Sequence, residues 1–354
     1  MSMTKSLFSP FDLEDTFPIS ENAKKTVEKG VQEIEDILEG RDDRLLVICG
    51  PCSIHDEGSA LEYAQKIVKL QAEVVDKFLL VMRVYFEKPR TTIGWKGFAD
   101  DPEVSGESDF EQGLERAWKL LIAINEMGVP AATEFLNPLT VSYLSRLVSW
   151  TAIGARTSES QTHREMASHL SMPVGFKNAV SGDFKGAING VMSASCAHSF
   201  LGTDYFGKNC EINSAGNPNC HLVLRGGKDC PNYDPITIEE IAEALREKGS
   251  NDAIVIDCSH DNSGQKAENQ AFVFEQVLKQ KERGSSIVGV MLESHLEAGN
   301  QPAFGENGEK IDLNPNVSIT DECISWKQTK KLLWDGYCNW KKEELSKERK
   351  VVLA

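Results

Sequence analysis

The chain lacks a long apolar stretch, an excess of positive charge and a secretory signal. No apolar run approaches the roughly 18 residues that a membrane-spanning helix needs, and the first residues lack the basic-then-apolar order of a signal peptide. The formal net charge is −16, whereas a nucleic-acid-binding protein usually carries the opposite sign. These absences argue against a membrane, a nucleic acid or an anionic lipid surface as a partner.

A paired arrangement of cysteines is also missing. The nine cysteines are odd in number and scattered, which indicates reduced thiols and predicts a cytoplasmic location. Cys49 and Cys52 do form a C-x-x-C, the spacing of thioredoxin-type redox motifs. That interpretation requires a small mixed sheet, whereas many strand-like runs follow here, so we set a redox role for this pair aside.

The chain contains instead a regular alternation of short apolar, β-prone runs with longer segments of helical spacing. Most of the runs are apolar at consecutive positions, as in parallel strands that are buried on both faces. Eight such strands, each followed by a helix, predict an α/β fold, a (β/α)8 TIM barrel. A doubly wound open sheet is the alternative, although it rarely needs eight units. The runs lie at 45–50, 78–86, 130–135, 152–155, 173–178, 220–227, 253–260 and 286–294. The helical segments lie at 61–76, 110–127, 139–150, 161–170, 182–197, 238–248, 269–283 and 321–344.

Two segments do not follow the alternation. Residues 1–44 precede the first strand and include a helix-like run at 22–38, so we predict an N-terminal extension with an oligomeric or regulatory role. Residues 202–219 are rich in turn-forming residues and predict a β-hairpin insertion before the sixth barrel strand. The catalytic barrel is then expected to span residues 45–354.

Polar residues capable of chemistry end nearly every predicted strand, where TIM barrels carry their active sites. One set of them is cationic: Arg83, Lys88, Arg90, Arg156, Lys177 and Arg225. In so acidic a chain, six cations around one barrel mouth predict a polyanionic ligand set with two phosphates and a carboxylate. The alternative is that each cation pairs with a nearby Asp or Glu.

A second set consists of Cys52, His260, Glu293 and Asp321. Its mixture of soft, borderline and hard donors suits one divalent Mn, Fe, Co or Zn ion better than Mg or Ca. Such an ion can polarise a carbonyl group as a Lewis acid. A lone histidine after a strand is more often a hydrogen-bonded loop residue. The four residues support a metal site together, because a barrel brings its strand ends to one place.

Six motifs follow one another along the chain. They are GPCSIH (50–55), KPRTTIGWKG (88–97), GARTSESQ (154–161), GFKN (175–178), LRGGK (224–228) and SITD (318–321). From about Phe8 to about Lys341 the chain resembles the type I, amino-acid-regulated 3-deoxy-D-arabino-heptulosonate 7-phosphate (DAHP) synthases. The resemblance implies condensation of phosphoenolpyruvate with erythrose 4-phosphate to DAHP and phosphate, the first step of the shikimate pathway. A synthase that uses arabinose 5-phosphate and a metal-dependent barrel aldolase are the alternatives.

The resemblance also implies roles for individual residues. Those expected to hold phosphoenolpyruvate are Arg83, Lys88, Gly154, Ala155, Arg156, Lys177 and Arg225. Those expected to hold erythrose 4-phosphate are Pro89, Arg90 and Thr91. Cys52, His260, Glu293 and Asp321 would bind the metal, Lys88 would protonate the new alkoxide (a metal-bound water is the alternative donor) and Glu134 would order the attacking water. The family further suggests a homodimer or a homotetramer.

An effector site for a feedback inhibitor is implied as well. It would comprise Asn137, Val141, Leu170, Ser171, Phe200 and Gly202. Gly202 slightly favours tyrosine over phenylalanine as the aromatic amino acid bound. The site departs from the family pattern, since Asn137 stands where Asp is common and Val141 where Pro is common.

Overall fold

The computed structural model describes residues 4–90, 94–228 and 230–352 of the chain. Its strands are β1 Leu45–Gly50, β2 Phe78–Arg83, β3 Ala131–Glu134, β4 Trp150–Ile153, β5 Val174–Lys177, β6 His198–Thr203, β7 Asn209–Ser214, β8 Cys220–Leu224, β9 Ile254–Asp257, β10 Ile287–His295 and β11 Ile324–Ser325. Its α-helices are α1 Pro10–Thr16, α2 Glu21–Leu38, α3 Glu57–Val74, α4 Phe110–Glu126, α5 Pro138–Leu144, α6 Gln161–His169, α7 Lys185–Ala194, α8 Pro235–Glu247, α9 Gln270–Lys281 and α10 Trp326–Val352. Within the described ranges, none of these helices has the length and apolarity to cross a membrane.

Eight parallel strands form a closed barrel. Their order is β1-β2-β3-β4-β5-β8-β9-β10, and β10 pairs again with β1, with Leu46 opposite Gly289 and Gly50 opposite Glu293. The short β11 prolongs the sheet beside the end of β10. Each of the eight predicted runs overlaps one barrel strand, so the predicted (β/α)8 barrel is confirmed.

Alternate residues of the barrel strands face two separate cores. Leu46 and Ile48 pack inside the barrel, whereas Leu45 and Val47 join the larger core between the strands and the surrounding helices. The inner core also contains Ile34, Ile37 and Leu38 from α2. The N-terminal extension therefore closes the N-terminal end of the barrel with α2, and its oligomeric or regulatory role stays a prediction.

A β-hairpin precedes the sixth barrel strand, as predicted, but it begins earlier in the chain. Strands β6 and β7 pair antiparallel, and β6 starts at His198 rather than at residue 202. The predicted helix 182–197 correspondingly ends at Ala194. Residues 198–202 of β6 alternate between half-buried and exposed positions, the period-two pattern of a strand with one face toward solvent. Such a strand lacks the continuous apolar run by which the barrel strands were predicted.

Other helix boundaries also differ from prediction, and three of these differences have a local cap or break as their cause. Helix α8 begins after Asp234, whose carboxylate accepts hydrogen bonds from the Ile236 and Thr237 amides, so the helix starts at Pro235 rather than at residue 238. Helix α10 begins after Ser325, which forms a capping box with Gln328. The predicted helix 139–150 ends at Leu144, and a 3-10 turn at Ser145–Leu147 precedes β4.

Gly30 allows α2 to approach the barrel closely, and its replacement by Ala tests this packing. A Cβ there would lie 2.6 Å from Ser149 Oγ and 2.8 Å from Pro130 Cβ. We expect Gly30→Ala to lower the free energy of unfolding by about 1–3 kcal/mol, although alanine favours helix by about 1 kcal/mol. Gly58→Ala, at an exposed position of α3, is the matched control and should not destabilise. Urea denaturation measures both, and a stabilised Gly30→Ala would contradict the packing argument.

Candidate active site

A polar cavity of about 420 Å³ lies at the C-terminal ends of the barrel strands. Most of the residues predicted from the sequence line it: Lys88, Pro89, Arg90, Glu134, Ala155, Arg156, Lys177, Arg225, His260 and Asp321. Val180, Lys228, Asp261 and Gln265 line it as well and were not predicted. Thr91 lies outside the described residues. The barrel thus brings together side chains that are far apart in sequence.

Three of the four predicted metal ligands form a compact cluster at this cavity. Cys52 Sγ, a Glu293 carboxylate oxygen and an Asp321 carboxylate oxygen all lie within 4.8 Å of one another. Cys52 Sγ is 3.4 Å from Asp321 Oδ2. Burial, followed by the nearby Glu293 carboxylate, raises the pKa of the Cys52 thiol to about 12. Two carboxylates beside a buried thiol fit a divalent cation, which would favour the thiolate.

His260 adjoins this cluster through its Nε2, which lies 4.0 Å from Glu293 Oε1. Its other ring nitrogen, Nδ1, lies 3.0 Å from Asp257 Oδ2 and 2.8 Å from Ser259 Oγ. A histidine held through one nitrogen by a carboxylate presents the other nitrogen in a fixed direction, as metal-binding histidines do. The His260 backbone has a φ of 54°, a left-handed conformation that turns the residue away from the strand path.

Asp257 is a positioning residue to which sequence reasoning gave no role. It is fully buried and its Oδ2 also accepts a hydrogen bond of 3.0 Å from Lys177 Nζ. Burial alone would raise the pKa of Asp257, but the charges of Lys177 and His260 hold it well below its usual range. One carboxylate therefore orients both a predicted metal ligand and a predicted phosphate-binding lysine. Its place at the end of a strand was the signal available in the sequence.

The six predicted cations divide into paired and unpaired groups. Arg83, Lys177 and Arg225 each form an ion pair with a carboxylate, at 3.1, 3.0 and 2.6 Å. Arg90 donates from Nε to the Trp95 carbonyl oxygen. Arg156 is exposed, and among the described residues it has no ion-pair partner. Pairing with a carboxylate, the alternative explanation for these cations, therefore applies to three of the six. The remaining cations give the cavity wall a net positive charge.

Arg83 lies beneath the cavity rather than in its wall. Its side chain is only 1% exposed, and it donates to Glu293 Oε1 and to the carbonyl oxygens of Pro51 and Cys52. It thereby joins the motif that contains Cys52 to the strand that contains Glu293. Direct contact between Arg83 and phosphoenolpyruvate stays a prediction.

Lys88 connects the cationic wall with the metal-ligand cluster. Its Nζ lies 3.0 Å from Cys52 Sγ and 3.4 Å from the Cys52 carbonyl oxygen. Burial alone would lower the pKa of Lys88, but the nearby Cys52, Asp321 and Glu293 raise it. Lys88 is therefore an ammonium group that can donate a proton or hold an anion.

Glu134 faces the cavity at the end of β3 and is 8% exposed. Its carboxylate packs so closely against Gly154 that a Cβ at that position would collide with it. Gly154 itself is buried, while the next residue, Ala155, lines the cavity. The glycine in the GAR motif thus leaves room for Glu134.

A buried network of three asparagines fixes the loops that hold the cations. Asn178 Oδ1 accepts from the Arg225 amide at 2.8 Å, and its Nδ2 donates to the Gly226 carbonyl oxygen at 3.0 Å. Asn232 Oδ1 accepts from the Gly226 amide, and the Asn232 amide donates to Asn262 Oδ1. Asn178 was noted as part of a motif, whereas Asn232 and Asn262 carry no local signal in the sequence.

Five of the six predicted effector residues line a second cavity, of about 740 Å³, between α5, α6 and the β6–β7 hairpin. Val141, Leu170, Ser171, Phe200 and Gly202 line it. Asn137 does not lie in this lining; its side chain caps α5 by accepting from the Leu139 amide. Asn is one of the residues preferred at helix N-caps. Asn137 is therefore the one predicted effector residue that lies outside the lining of the second cavity.

Glu87 was missed by sequence reasoning. Its carboxylate accepts hydrogen bonds from the Leu136 and Asn137 amides and from Thr140 Oγ1, at 3.1, 3.2 and 2.9 Å. It therefore holds the start of α5, whose residues line the second cavity, while its neighbour Lys88 lines the first. Burial raises the pKa of Glu87 to about 7.

The closed barrel, the cation-rich cavity and the Cys–Glu–Asp cluster at the strand ends define a (β/α)8-barrel enzyme. Comparison with known proteins specifies it further. The family model described as "DAHP synthetase I family" matches residues 16–334. The chain belongs to this family, which confirms the family and the enzyme class predicted from the motifs.

Named relatives are similar in sequence to this chain over nearly its whole length. The Tyr-sensitive phospho-2-dehydro-3-deoxyheptonate aldolase of Escherichia coli (strain K12) is 48% identical over 92% of this chain and 91% of its own length. The Phe-sensitive enzyme of the same strain is 48% identical over 93% of both chains. The structure of the phospho-2-dehydro-3-deoxyheptonate aldolase from Francisella tularensis SCHU S4 matches with a TM-score of 0.92 and 40% identity, over 96% of this chain and 98% of that one.

Replacing Glu87 by Gln tests the buried carboxyl group. Its folded-state pKa of about 7 lies above the ordinary 4.5, so its contribution to stability is present below pH 4.5 and is lost as the pH rises through 7. From pH 4.5 to pH 8 the free energy of unfolding of the unaltered protein should fall by about 1–3 kcal/mol more than that of Glu87→Gln. Urea denaturation at both pH values measures this difference. Glu28→Gln, exposed on α2, should behave like the unaltered protein, and identical pH dependence in all three proteins would refute the assignment.

Proposed function

We propose that this enzyme condenses phosphoenolpyruvate with erythrose 4-phosphate to give DAHP and phosphate, with a divalent metal ion. The observation that supports this most directly is the juxtaposition of a cation-lined cavity with the cluster of Cys52, Glu293 and Asp321. Two anionic substrates can approach each other only where fixed positive charges offset their repulsion. The names of the relatives point to the same product.

The cations of the cavity divide between the two substrates. Arg156, Lys177 and Arg225 lie at the ends of or just beyond β4, β5 and β8, which are neighbours in the barrel, and would hold phosphoenolpyruvate. Pro89, Arg90 and Thr91, on the loop that follows β2, would hold erythrose 4-phosphate. Arg156 is exposed and has no ion-pair partner within the described ranges, so its guanidinium can bind phosphate or carboxylate in a bidentate manner.

Cys52, Glu293 and Asp321, with His260 beside them, would hold one Mn, Fe, Co or Zn ion. When bound, the ion supplies Lewis-acid polarisation of the aldehyde carbonyl. Asp257 orients His260 for this purpose, and Arg83 orients Glu293. The identity of the metal is not fixed by these residues, because a mixed thiolate, imidazole and carboxylate set suits several ions.

The protein's own groups handle the protons. The enol carbon of phosphoenolpyruvate forms a bond to the aldehyde carbon of the sugar, and Lys88 Nζ donates a proton to the resulting alkoxide. Water then adds to the carbon that bears the phosphate, and the C–O bond to phosphate breaks with its electron pair leaving on the phosphate, while the new hydroxyl becomes the ketone and passes its remaining proton to the departing phosphate. Glu134 orients that water and accepts its proton.

Feedback inhibition by an aromatic amino acid is the regulation that we propose for the second cavity. Relatives sensitive to tyrosine and to phenylalanine are equally similar to this chain, so overall identity does not choose between the two. Gly202 leaves room that a Cβ would take up against Ile212, and we retain the slight preference for tyrosine. A homodimer or homotetramer and a cytoplasmic location also remain predictions.

A phosphate-release assay with both substrates tests the proposed reaction. We expect activity with erythrose 4-phosphate, loss of activity with a chelator, and recovery on adding Mn²⁺. Arg156→Gln should lower kcat/KM for phosphoenolpyruvate by about 10- to 100-fold, because a charge-assisted bond to the substrate is lost. Arg283→Gln, exposed after α9, should match the unaltered enzyme. Higher activity with arabinose 5-phosphate would support the sibling synthase, and aldol cleavage without phosphoenolpyruvate would support a barrel aldolase.

The effector assignment is tested by adding each aromatic amino acid to the same assay. We expect tyrosine to inhibit at a lower concentration than phenylalanine. Gly202→Ser should raise the tyrosine concentration for half inhibition by about tenfold, the effect of about 1.4 kcal/mol, relative to that variant's own uninhibited rate. Lys208→Ser, in the turn of the same hairpin, should keep the original sensitivity. Unchanged inhibition of Gly202→Ser would place the effector elsewhere.

A further inference from the structure

Asp261 places a carboxylate in the wall of the anion-binding cavity. Its Oδ2 lies 2.6 Å from Arg225 Nη1, and its Oδ1 accepts a hydrogen bond of 2.7 Å from Gln265 Nε2. The adjacent Gly226 has a φ of 81° and no room for a Cβ against Asp261 and Asn262. The loops after β8 and β9 are thus packed together in a way that keeps the acid beside the arginine.

The Arg225–Asp261 pair is more buried than a surface ion pair. The side chains are 7% and 15% exposed, so solvent screens their attraction only weakly. An anion that approaches Arg225 meets a guanidinium whose charge is already balanced and a carboxylate that repels it. Arg156, in the same wall, presents its charge without an ion-pair partner among the described residues.

Arg225 does not depend on Asp261 for the position of its backbone. The Arg225 amide donates to Asn178 Oδ1 at 2.8 Å, and its carbonyl oxygen accepts from the Asn262 amide at 3.2 Å. Asp261 holds a single terminal nitrogen of the guanidinium. The acid therefore acts mainly through its charge.

We propose that Asp261 is a resident counterion of Arg225 that competes with the phosphate group of the substrate and weakens anion binding at this site. The inference rests on the proposed function, in which Arg225 holds phosphoenolpyruvate. When the phosphate group binds, Arg225 exchanges one anionic partner for another. When inorganic phosphate leaves as product, the carboxylate takes its place, so release does not expose an unpaired buried cation.

Asp261→Asn tests the proposal because the amide keeps an oxygen for Arg225 and removes the charge. Titration calorimetry of the metal-loaded enzyme should show dissociation constants for inorganic phosphate and for phosphoenolpyruvate about tenfold lower than in the unaltered enzyme. Product inhibition by phosphate should strengthen and KM for phosphoenolpyruvate should fall, with a smaller change in kcat. Glu268→Gln removes one exposed charge from the same segment of the chain and should leave both constants within about twofold.

Asp261→Ser separates charge from positioning, since it removes the oxygen contact as well. If Asp261 acts as a counterion, both variants should bind anions more tightly. If Asp261 instead positions Arg225, Asp261→Ser should bind anions more weakly and Asp261→Asn should bind them as the unaltered enzyme does. Weaker binding in Asp261→Ser or unchanged binding in Asp261→Asn would overturn the proposal. Metal content is measured in each variant because His260 is the neighbouring residue. If the unaltered enzyme did not consume phosphoenolpyruvate with erythrose 4-phosphate, the proposed function would fail instead, whereas the calorimetry with inorganic phosphate would still decide the role of Asp261.

Discussion

Closure of the barrel between its first and last strands is the constraint on which the site depends. The pairing of β1 with β10 sets Gly50 opposite Glu293, so that Cys52, two residues beyond Gly50, lies beside the Glu293 carboxylate. The continuation of β10 along β11 sets Ser294 opposite Ile324 and brings Asp321 to the same place. A shift of one residue in this register would turn Glu293 to the other face of the sheet. The cluster of predicted metal ligands is therefore a consequence of strand pairing rather than of any local motif.

Charge balance explains why buried carboxylates accompany the cations of the cavity. A buried ammonium or guanidinium group without a partner would be destabilised by desolvation. Lys177 and Arg83, both almost fully buried, are paired with Asp257 and Glu293. Arg156, which is exposed, does not need a partner. The burial of each of these cations thus corresponds to whether it is paired with a carboxylate. Asp257, at the end of β9, and Glu293, near the end of β10, are the carboxylates that form these pairs.

The sequence was sufficient to predict the barrel and the meeting of polar strand-end residues at one cavity, because both depend on position along a strand. Parallel strands buried on both faces leave continuous apolar runs, and polar residues at their ends stand out. Hydrogen bonds and ion pairs that join side chains of different loops were not predictable from the sequence. Asp257 looked like one polar residue among several, Asn232 and Asn262 have no local pattern, and the partner of Arg225 depends on how two loops pack. The hairpin strand β6 was misplaced because a half-exposed strand alternates and lacks an apolar run.

The loop after β2 connects the two cavities through adjacent residues. Glu87 binds the start of α5 through two backbone amides and Thr140, and α5 supplies Val141 to the second cavity. The next residue is Lys88, whose Nζ lies 3.0 Å from Cys52 Sγ and whose backbone amide donates to the Lys96 carbonyl oxygen. The two side chains make contacts at different cavities and share one peptide unit, so a displacement of that unit would act on both sets of contacts. Burial raises the pKa of the Glu87 carboxyl group to about 7, so the charge at the α5 side of this connection changes near neutral pH, whereas the ammonium group at the Lys88 side keeps its charge.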